Sequence, residues 1–406
     1  MKGVRLVSFL AVAIIVASCG SATTSGGNTN TYSGKVIKFG AILSITGAGG
    51  VYGPQSRDGM NLAVKQINAA GGVLGATIAL TINDDASLKP TAAQLTQTLI
   101  QSEQDLALLG PTLSNSAVGA HPLAESLKTP ILAVSTTGIH IVPDCNFPDA
   151  TPCKYVFRDS LGEQTAIPAN IQSYAADAHP ATGVLLVAQD DKFSSDGGQI
   201  VQNTVGQYGI NLLKVIKFNK GEADLSPYVT QAVQAKPDVI FITSLGAIPA
   251  KIMTEARKQN WTGQFLGGNG FNTATVSAQA GAAGMGARSA SAWYLGNTFP
   301  SNAEFVSAYR TEYKDANGNA KDPDQFAAQG YAAINILADA AKRANLTFTD
   351  LAGDRDKLRA AMETVNIQTP LGPFQFTPQH DVKQTVWVIA MDGKGGFTLV
   401  HRITAT

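Results

Sequence analysis

The strongest constraint on the fold is a repeated alternation of short β-branched runs with longer runs at helical spacing. Val36–Leu43 (VIKFGAIL) reads as a strand. Gln55–Ala69 reads as a helix, because Met60, Ala63, Val64 and Ile67 recur at i, i+3, i+4 and i+7. Gly71-Gly72 stops that helix. Thr77–Ile82 predicts a second strand, running out at Asp84-Asp85, and Pro90 opens a helix that reaches Ser102. Leu106–Leu109, Ala117–Leu127 and Pro130–Val134 predict strand, helix and strand. This βαβα order predicts a parallel sheet with helices on both faces.

The order then begins again. Strands at Gly183–Ala188, Leu212–Phe218, Asp238–Thr243 and Gln264–Leu266 alternate with helices at Asp196–Tyr208, about Ser226–Gln234, and Pro249–Gln259. Two successive α/β units of similar size predict two similar lobes. Beyond Ala290 come a strand at Ala292–Leu295, helices near Asn302–Lys314 and Asp324–Asn345, and a β-like tail from Phe374 whose clearest strand is Thr385–Met391. These pieces are too few for a third domain and are expected to cross back and complete the two lobes.

The N-terminus carries an address. Lys2 and Arg5 precede the apolar stretch Leu6–Ala17, which is too short to span a bilayer core of roughly 30 Å. A basic start, an apolar middle and small residues at the end make residues 1–18 a secretory signal peptide. The run Val16-Ala17-Ser18-Cys19 resembles a lipobox. It predicts lipidation of Cys19 and an extracytoplasmic, membrane-anchored protein. Residues 19–34 are dominated by Ser, Thr, Gly and Asn and are expected as a flexible tether.

The roughly 370 residues that remain exceed one ordinary core and suit two domains. Charged residues make up 15% of the chain and balance to a net charge of zero, so no basic excess points to nucleic acid. Cys145 and Cys153 bracket a turn-rich loop, NFPDATP. Outside the cytoplasm this pair predicts a local disulfide, contributing about 2–3 kcal/mol at most.

The motifs of catalysis are missing. Gly47, Gly49 and Gly53 approach a dinucleotide fingerprint, with Asp84 or Asp85 where a ribose would bind. The third glycine falls one position late, however, and Tyr52 fills the close-packing position. No G-x-S-x-G elbow occurs. His121, His140, His179, His380 and His401 are scattered and unpaired in sequence. The chain is therefore read without catalytic residues, metal site or cofactor, and not as an enzyme. Polar residues gather instead where the carboxyl ends of parallel strands should lie, the place where open sheets bind ligands. Gly110–Ser116 (GPTLSNS) follows the third strand and Ser135–Gly138 (STTG) the fourth. Both loops offer hydroxyls and backbone N–H groups to a carboxylate, helped by a helix N-terminus. Simple helix capping is the alternative for either loop alone.

With these residues in view, Lys35–Val400 resembles the type I periplasmic binding proteins of ABC importers, and more narrowly their leucine/isoleucine/valine-binding group. The resemblance rests on FGAILSITGAGGVYG, DGMNLAVKQINAAGGVLG, INDDAS followed by Lys89-Pro90-Thr91, GPTLSNS, PILAVSTT, VFRDS and GPFQFTPQHDVKQ. It implies an α/β fold of two doubly wound parallel-sheet lobes joined by three crossover segments, near Val156–Asp159, Trp293–Gly296 and Gly372–Phe376. Lobe 1 would hold residues 35–157 and 296–373, and lobe 2 residues 158–295 and 374–406. The implied role is a solute-binding lipoprotein whose lobes close over a ligand and which then docks on a membrane permease served by an ATPase.

Site roles follow from the same resemblance. Ser114, with Asn115 beside it, matches the group that bonds a ligand carboxylate. Ser135, Thr136 and Thr137 match a loop that offers a carbonyl and a Thr hydroxyl to the amine and carboxylate, Thr137 being the expected hydroxyl. Tyr52 and Phe193 match aromatic walls, and Phe271 is expected to help shape the pocket. Two positions depart from the pattern: Leu245 replaces a frequent aromatic, and Asn269 stands where an acidic residue commonly faces the ligand ammonium. Loss of a buried charged partner costs about 2–5 kcal/mol. So either Asp190 or Asp191 meets the amine, or the solute has none, as in an amide, a urea-like compound or an aromatic carboxylate. The fold also implies an alternative role as the ligand-sensing subunit of a receptor.

Overall fold

The computed structural model describes residues 31–142 and 153–404. The expected signal peptide, Cys19 and Cys145 lie outside them, while Cys153 takes part in a disulfide. The tether expected through Gly34 is corrected at its end. Tyr32 is buried, its hydroxyl donating to the Ala341 carbonyl (3.3 Å) and accepting from the Leu346 N–H (2.8 Å). One aromatic among small polar residues docks because it finds both a core and two hydrogen bonds.

The first sheet is built from β1 (Val36–Leu43), β2 (Thr77–Asp84), β3 (Ala107–Leu109), β4 (Ile131–Ala133) and β5 (Val156–Arg158), all parallel, in the order β2-β1-β3-β4-β5. Between them run α1 (Gly53–Ala69), α2 (Lys89–Gln97) and α3 (Ser114–Ser126). Pro54 and Pro90 sit in the first turns of α1 and α2, where their missing N–H costs nothing. The helix expected to run to Ser102 changes to a π-turn over Thr98–Ser102.

The second unit comprises α4 (Glu163–Ala178), β6 (Thr182–Ala188), α5 (Lys192–Thr204), β7 (Asn211–Phe218), α6 (Ser226–Gln234), β8 (Val239–Ile242), α7 (Ile248–Lys258), β9 (Gln264–Gly267), α8 (Ala274–Gly284) and β10 (Arg288–Ser291). After α9 (Pro300–Glu312), α10 (Gln325–Arg343), α11 (Leu351–Met362) and a ribbon of β11 (Ile367–Thr369) with β12 (Gly372–Phe374), the chain ends in β13 (Val386–Met391) and β14 (Phe397–Ile403). The second sheet has the order β14-β13-β10-β9-β8-β6-β7. Its strands β6 to β10 are parallel, and β13 and β14 add an antiparallel edge.

The late helices return to the first sheet. Phe305 and Tyr309 of α9, Ile336 and Leu337 of α10 and Leu358 of α11 share one core with Phe39, Leu109 and Phe157. Val184, Ile240, Phe265, Met253 and Met391 form the core of the second unit. The chain thus passes between the units after β5, after β10 and after β12.

Several elements differ from expectation. The strand expected at Ala292–Leu295 lies four residues earlier, at Arg288–Ser291. Its RSAS sequence lacks β-branched residues, and it is strand because β9 and β13 pair with it on both sides. Helices α4, α8 and α11 were not expected. Pro168 interrupts the pattern of α4, and α8 is a run of small residues broken by Gly281 at φ 50°, so neither shows a clear apolar stripe.

Candidate functional site

Open parallel sheets gather ligand loops where neighbouring strands send their connections to opposite faces. In the first sheet this lies between β1 and β3, in the second between β6 and β8. The loops after these strands converge. Tyr52, Thr112, Leu113 and Ser114 from the first unit, Ser135 after β4, Phe193 at the start of α5, Leu245 after β8, Asn269 after β9 and Phe326 at the start of α10 line one cavity. It measures about 10 Å³, roughly room for one water, so the two units are closed upon each other.

Six of the expected residues meet there: Tyr52, Ser114, Ser135, Phe193, Leu245 and Asn269. α3 begins at Ser114 with Leu113 as its N-cap residue and no side-chain cap. Ser114 Oγ instead accepts from the Gly138 N–H (3.1 Å), which leaves its own proton free to donate. An uncapped helix start beside a hydroxyl is a ready anion site. Ser135 is held at φ 64° and its hydroxyl donates to the Val134 carbonyl (2.6 Å). A non-glycine residue there costs about 1–3 kcal/mol, and such strain gathers at ligand sites.

Three expected residues sit just behind the cavity. The Thr136 hydroxyl donates to the Pro111 carbonyl, and the Thr137 hydroxyl, expected to face the ligand, donates to the Glu163 carboxylate (3.3 Å). Asn115 spans the units: its amide donates to Asp191 (3.3 Å) and its oxygen accepts from the Lys192 N–H (3.0 Å). Phe271 is corrected. It lies in the core of the second unit, against Gly267 rather than the cavity.

Asn269 does not stand ready for an ammonium. Its side-chain oxygen accepts from Gln325 (2.6 Å) and Asn272 (3.3 Å), and its amide nitrogen donates to the Ser135 carbonyl (3.3 Å). Asp190 is exposed and accepts from the Lys220 N–H (2.7 Å), away from the cavity. Asp191 is buried and caps α5 through the Ser194 N–H (3.0 Å); burial raises its carboxyl against the pull of that N–H and of Lys220.

Glu163, in a helix the sequence pattern concealed, is an acid bonded to a residue that lines the cavity. Its Oε1 accepts from the Asn269 N–H (2.8 Å) as well as from Thr137. Burial pushes its carboxyl up to about 7, against those hydrogen bonds and Arg158. Thr112 and Leu113 belong to the loop already singled out. Phe326 lies just past the helix cap Asp324 and packs at a tilt on Tyr52, with ring centroids 4.8 Å apart; nothing local in the sequence distinguishes it from a core residue.

The seam is stitched by Tyr52. Its hydroxyl donates to the Gly270 carbonyl (3.0 Å) and accepts from the Gly246 N–H (2.9 Å), both in the opposite unit. Thr273 adds a bond to the Val51 carbonyl (3.2 Å), and the Ile139 N–H one to Asp196 (3.3 Å).

Comparison with known proteins agrees with this architecture. A family model described as a periplasmic binding protein matches residues 36–396. A leucine-, isoleucine-, valine-, threonine-, and alanine-binding protein of Pseudomonas aeruginosa is 22% identical over 387 residues, 94% of each chain. The solved structure of a leucine-binding protein from Thermotoga maritima has a TM-score of 0.79 at 24% identity, covering 91% of this chain and 99% of its own. A solute-binding protein of an ABC transporter from R. palustris, in complex with benzoate, has a TM-score of 0.79 at 22% identity, covering 90% of this chain and 96% of its own. With two sheets joined by three passages, a loop-lined cavity at their seam and a match along most of its length, the chain belongs to the periplasmic binding protein family and has its type I fold.

Proposed function

We propose that this protein is the solute-binding lipoprotein of an ABC importer. It is anchored outside the cytoplasm through Cys19 and binds a branched-chain amino acid or a related small carboxylate between two closing lobes. It then docks on a permease that works with an ATPase. The lobes are residues 35–157 with 296–373, and 158–295 with 374–406. The observation that carries the reading is the uncapped start of α3 at Ser114, facing a cavity walled by Tyr52, Leu113, Phe193, Leu245 and Phe326. The helix end and the Ser114 hydroxyl take a carboxylate, and the apolar walls take the rest of the solute.

Calorimetry with leucine, isoleucine, valine, 4-methylpentanoate and benzoate tests it. Ser114→Ala should weaken the binding of a carboxylate by about 1.5–3 kcal/mol, roughly 10- to 150-fold. Unchanged affinity would remove Ser114 from the site. Loss of palmitate labelling in Cys19→Ser tests the anchor.

A second reading has an observation of its own. The Asn269 oxygen is already shared by Gln325 and Asn272, and no carboxylate side chain lines the cavity among the described residues. This favours a solute without an ammonium group, such as an aromatic carboxylate. Under it, 4-methylpentanoate or benzoate binds at least as tightly as leucine; tighter binding of leucine returns the choice to amino acids.

A further inference from the structure

A buried acid at the seam has no part in the binding reading. Glu163 opens α4, has no exposed surface and lies at the seam, with Thr137 from one unit and the Asn269 N–H from the other on its Oε1. Its Oε2 has no hydrogen-bond partner. That oxygen lies against Gly268, where a Cβ would come within 2.5 Å of it. No cation forms an ion pair with Glu163 among the described residues.

The two charged groups that act on it, Arg158 and Asp196, are already committed. Arg158 of β5 gives Nε and Nη2 to Asp381 and Nη1 to the Gly138 carbonyl. Asp196 of α5 is paired with Lys192 and accepts from the Ile139 N–H. Asp159, next to Arg158 in the chain, is fully buried, and burial holds its carboxyl well above the usual carboxylate range. For Glu163 the Arg158 guanidinium and the Asp196 carboxylate pull in opposite directions, and burial outweighs both.

An ionised carboxylate sealed in such a seam, with one oxygen unpartnered, pays a large desolvation cost that a neutral carboxyl avoids. Opening the seam returns the group to water, where it ionises as an ordinary glutamate. We propose that Glu163 sets the charge the closed site accepts: it is neutral there, so an anionic solute is bound together with one proton taken up from solvent. Ionised Glu163 would add a negative charge at the same seam as a carboxylate held at Ser114, which is linked to it through Thr137 and Gly138. Protonation removes that repulsion, so the site is specific for an anion plus a proton. This rests on the carboxylate reading of the site, and it adds a pH dependence that a passive structural glutamate would not produce.

Two measurements decide it. In the first, glutamate side-chain carboxyl carbons are labelled with ¹³C and the protein is titrated by NMR with and without saturating benzoate. In the benzoate-bound protein one glutamate should titrate about two to three units above the ordinary value of roughly 4.3, and its signal should be absent in Glu163→Gln. If every glutamate titrates near the ordinary value, or the displaced signal survives in the variant, the proposal is wrong. Should Glu163→Gln fail to fold, the wild-type titration alone stands, and the absence of a displaced glutamate overturns the idea. In the second, benzoate and 4-methylpentanoate affinities are measured at pH 6 and pH 8. Wild type should bind about 10-fold more weakly at pH 8, the limit for one linked proton over the interval above its titration. Glu163→Gln should bind equally at both. Equal pH dependence in the two proteins sinks the proposal while leaving the solute-binding reading intact. If neither carboxylate binds at any pH, the carboxylate reading falls and the proposal that rests on it falls with it.

Discussion

Tyr52 does at the level of one residue what the binding reading asks of the whole protein. Its ring walls the cavity against Phe326, and its hydroxyl ties the first unit to the backbone of Gly246 and Gly270 in the second. Those contacts exist only when the units are closed, so they contribute to closure and hence to affinity. Tyr52→Phe would leave the Gly246 N–H and the Gly270 carbonyl without partners at a cost of about 1–3 kcal/mol. The expected result is solute affinity lowered roughly 5- to 150-fold with the thermal midpoint of the solute-free protein little changed, read by calorimetry and thermal unfolding. Much of this site was legible before the structure. Ser114, Ser135 and Asn269 stand at strand ends, and strand ends can be located from periodicity. What was not legible was the pairing of side chains across the seam. By sequence alone Asn269 reads as a weakened ammonium partner, but Gln325, 56 positions away, holds its oxygen. Thr137 likewise turned from the ligand to Glu163.

At the scale of elements, the contact between α1 and α10 shows how a late helix becomes part of an early sheet. A Cβ on Gly59 would meet the Ala327 carbonyl oxygen at 2.0 Å, and one on Gly330 the Ser56 carbonyl oxygen at 2.2 Å. Two glycines let the helix backbones touch. Gly330→Ala gains up to about 1 kcal/mol of helix propensity, but the clash is with backbone, which cannot step aside cheaply. Overpacking of this kind costs about 1–3 kcal/mol, so the variant should be the less stable by urea unfolding; a rise in stability would mean that the helices can separate at little cost. Strongly periodic elements such as β1, α1 and α10 were readable from their sequences. The unexpected helices were those whose residues are small or mixed, α8 above all, where packing and not a stripe decides the conformation.

For the molecule as a whole, acids raised by burial and acids lowered by hydrogen bonds pull stability in opposite directions with pH. Burial raises Glu163 to about 7, Asp105 and Asp324 to about 6, and Asp159 well above its ordinary value. The folded protein holds more protons than the unfolded chain between the ordinary and the raised values, so stability falls as pH rises through about 4 to 7. Asp84, Asp238 and Asp354 are lowered, Asp84 and Asp354 by hydrogen bonds that outweigh their own desolvation and Asp238 by its bonds to Thr182 and Ala181. Their contribution is present above the ordinary carboxylate value and is lost below it. Unfolding free energies measured from pH 3 to 8 should therefore peak near pH 4, and a curve still rising at pH 8 would contradict the burial of these acids. The sequence by itself determined the class of fold, the doubling of the α/β unit and the strand ends where a ligand would sit, because periodicity and turn residues are local and survive in any context. Only the tertiary structure decided which side chains face each other across the seam, that RSAS is a strand, and that Glu163 is sealed there. Those outcomes depend on distant partners removing water and supplying or withholding hydrogen bonds, and no stretch of sequence carries that information alone.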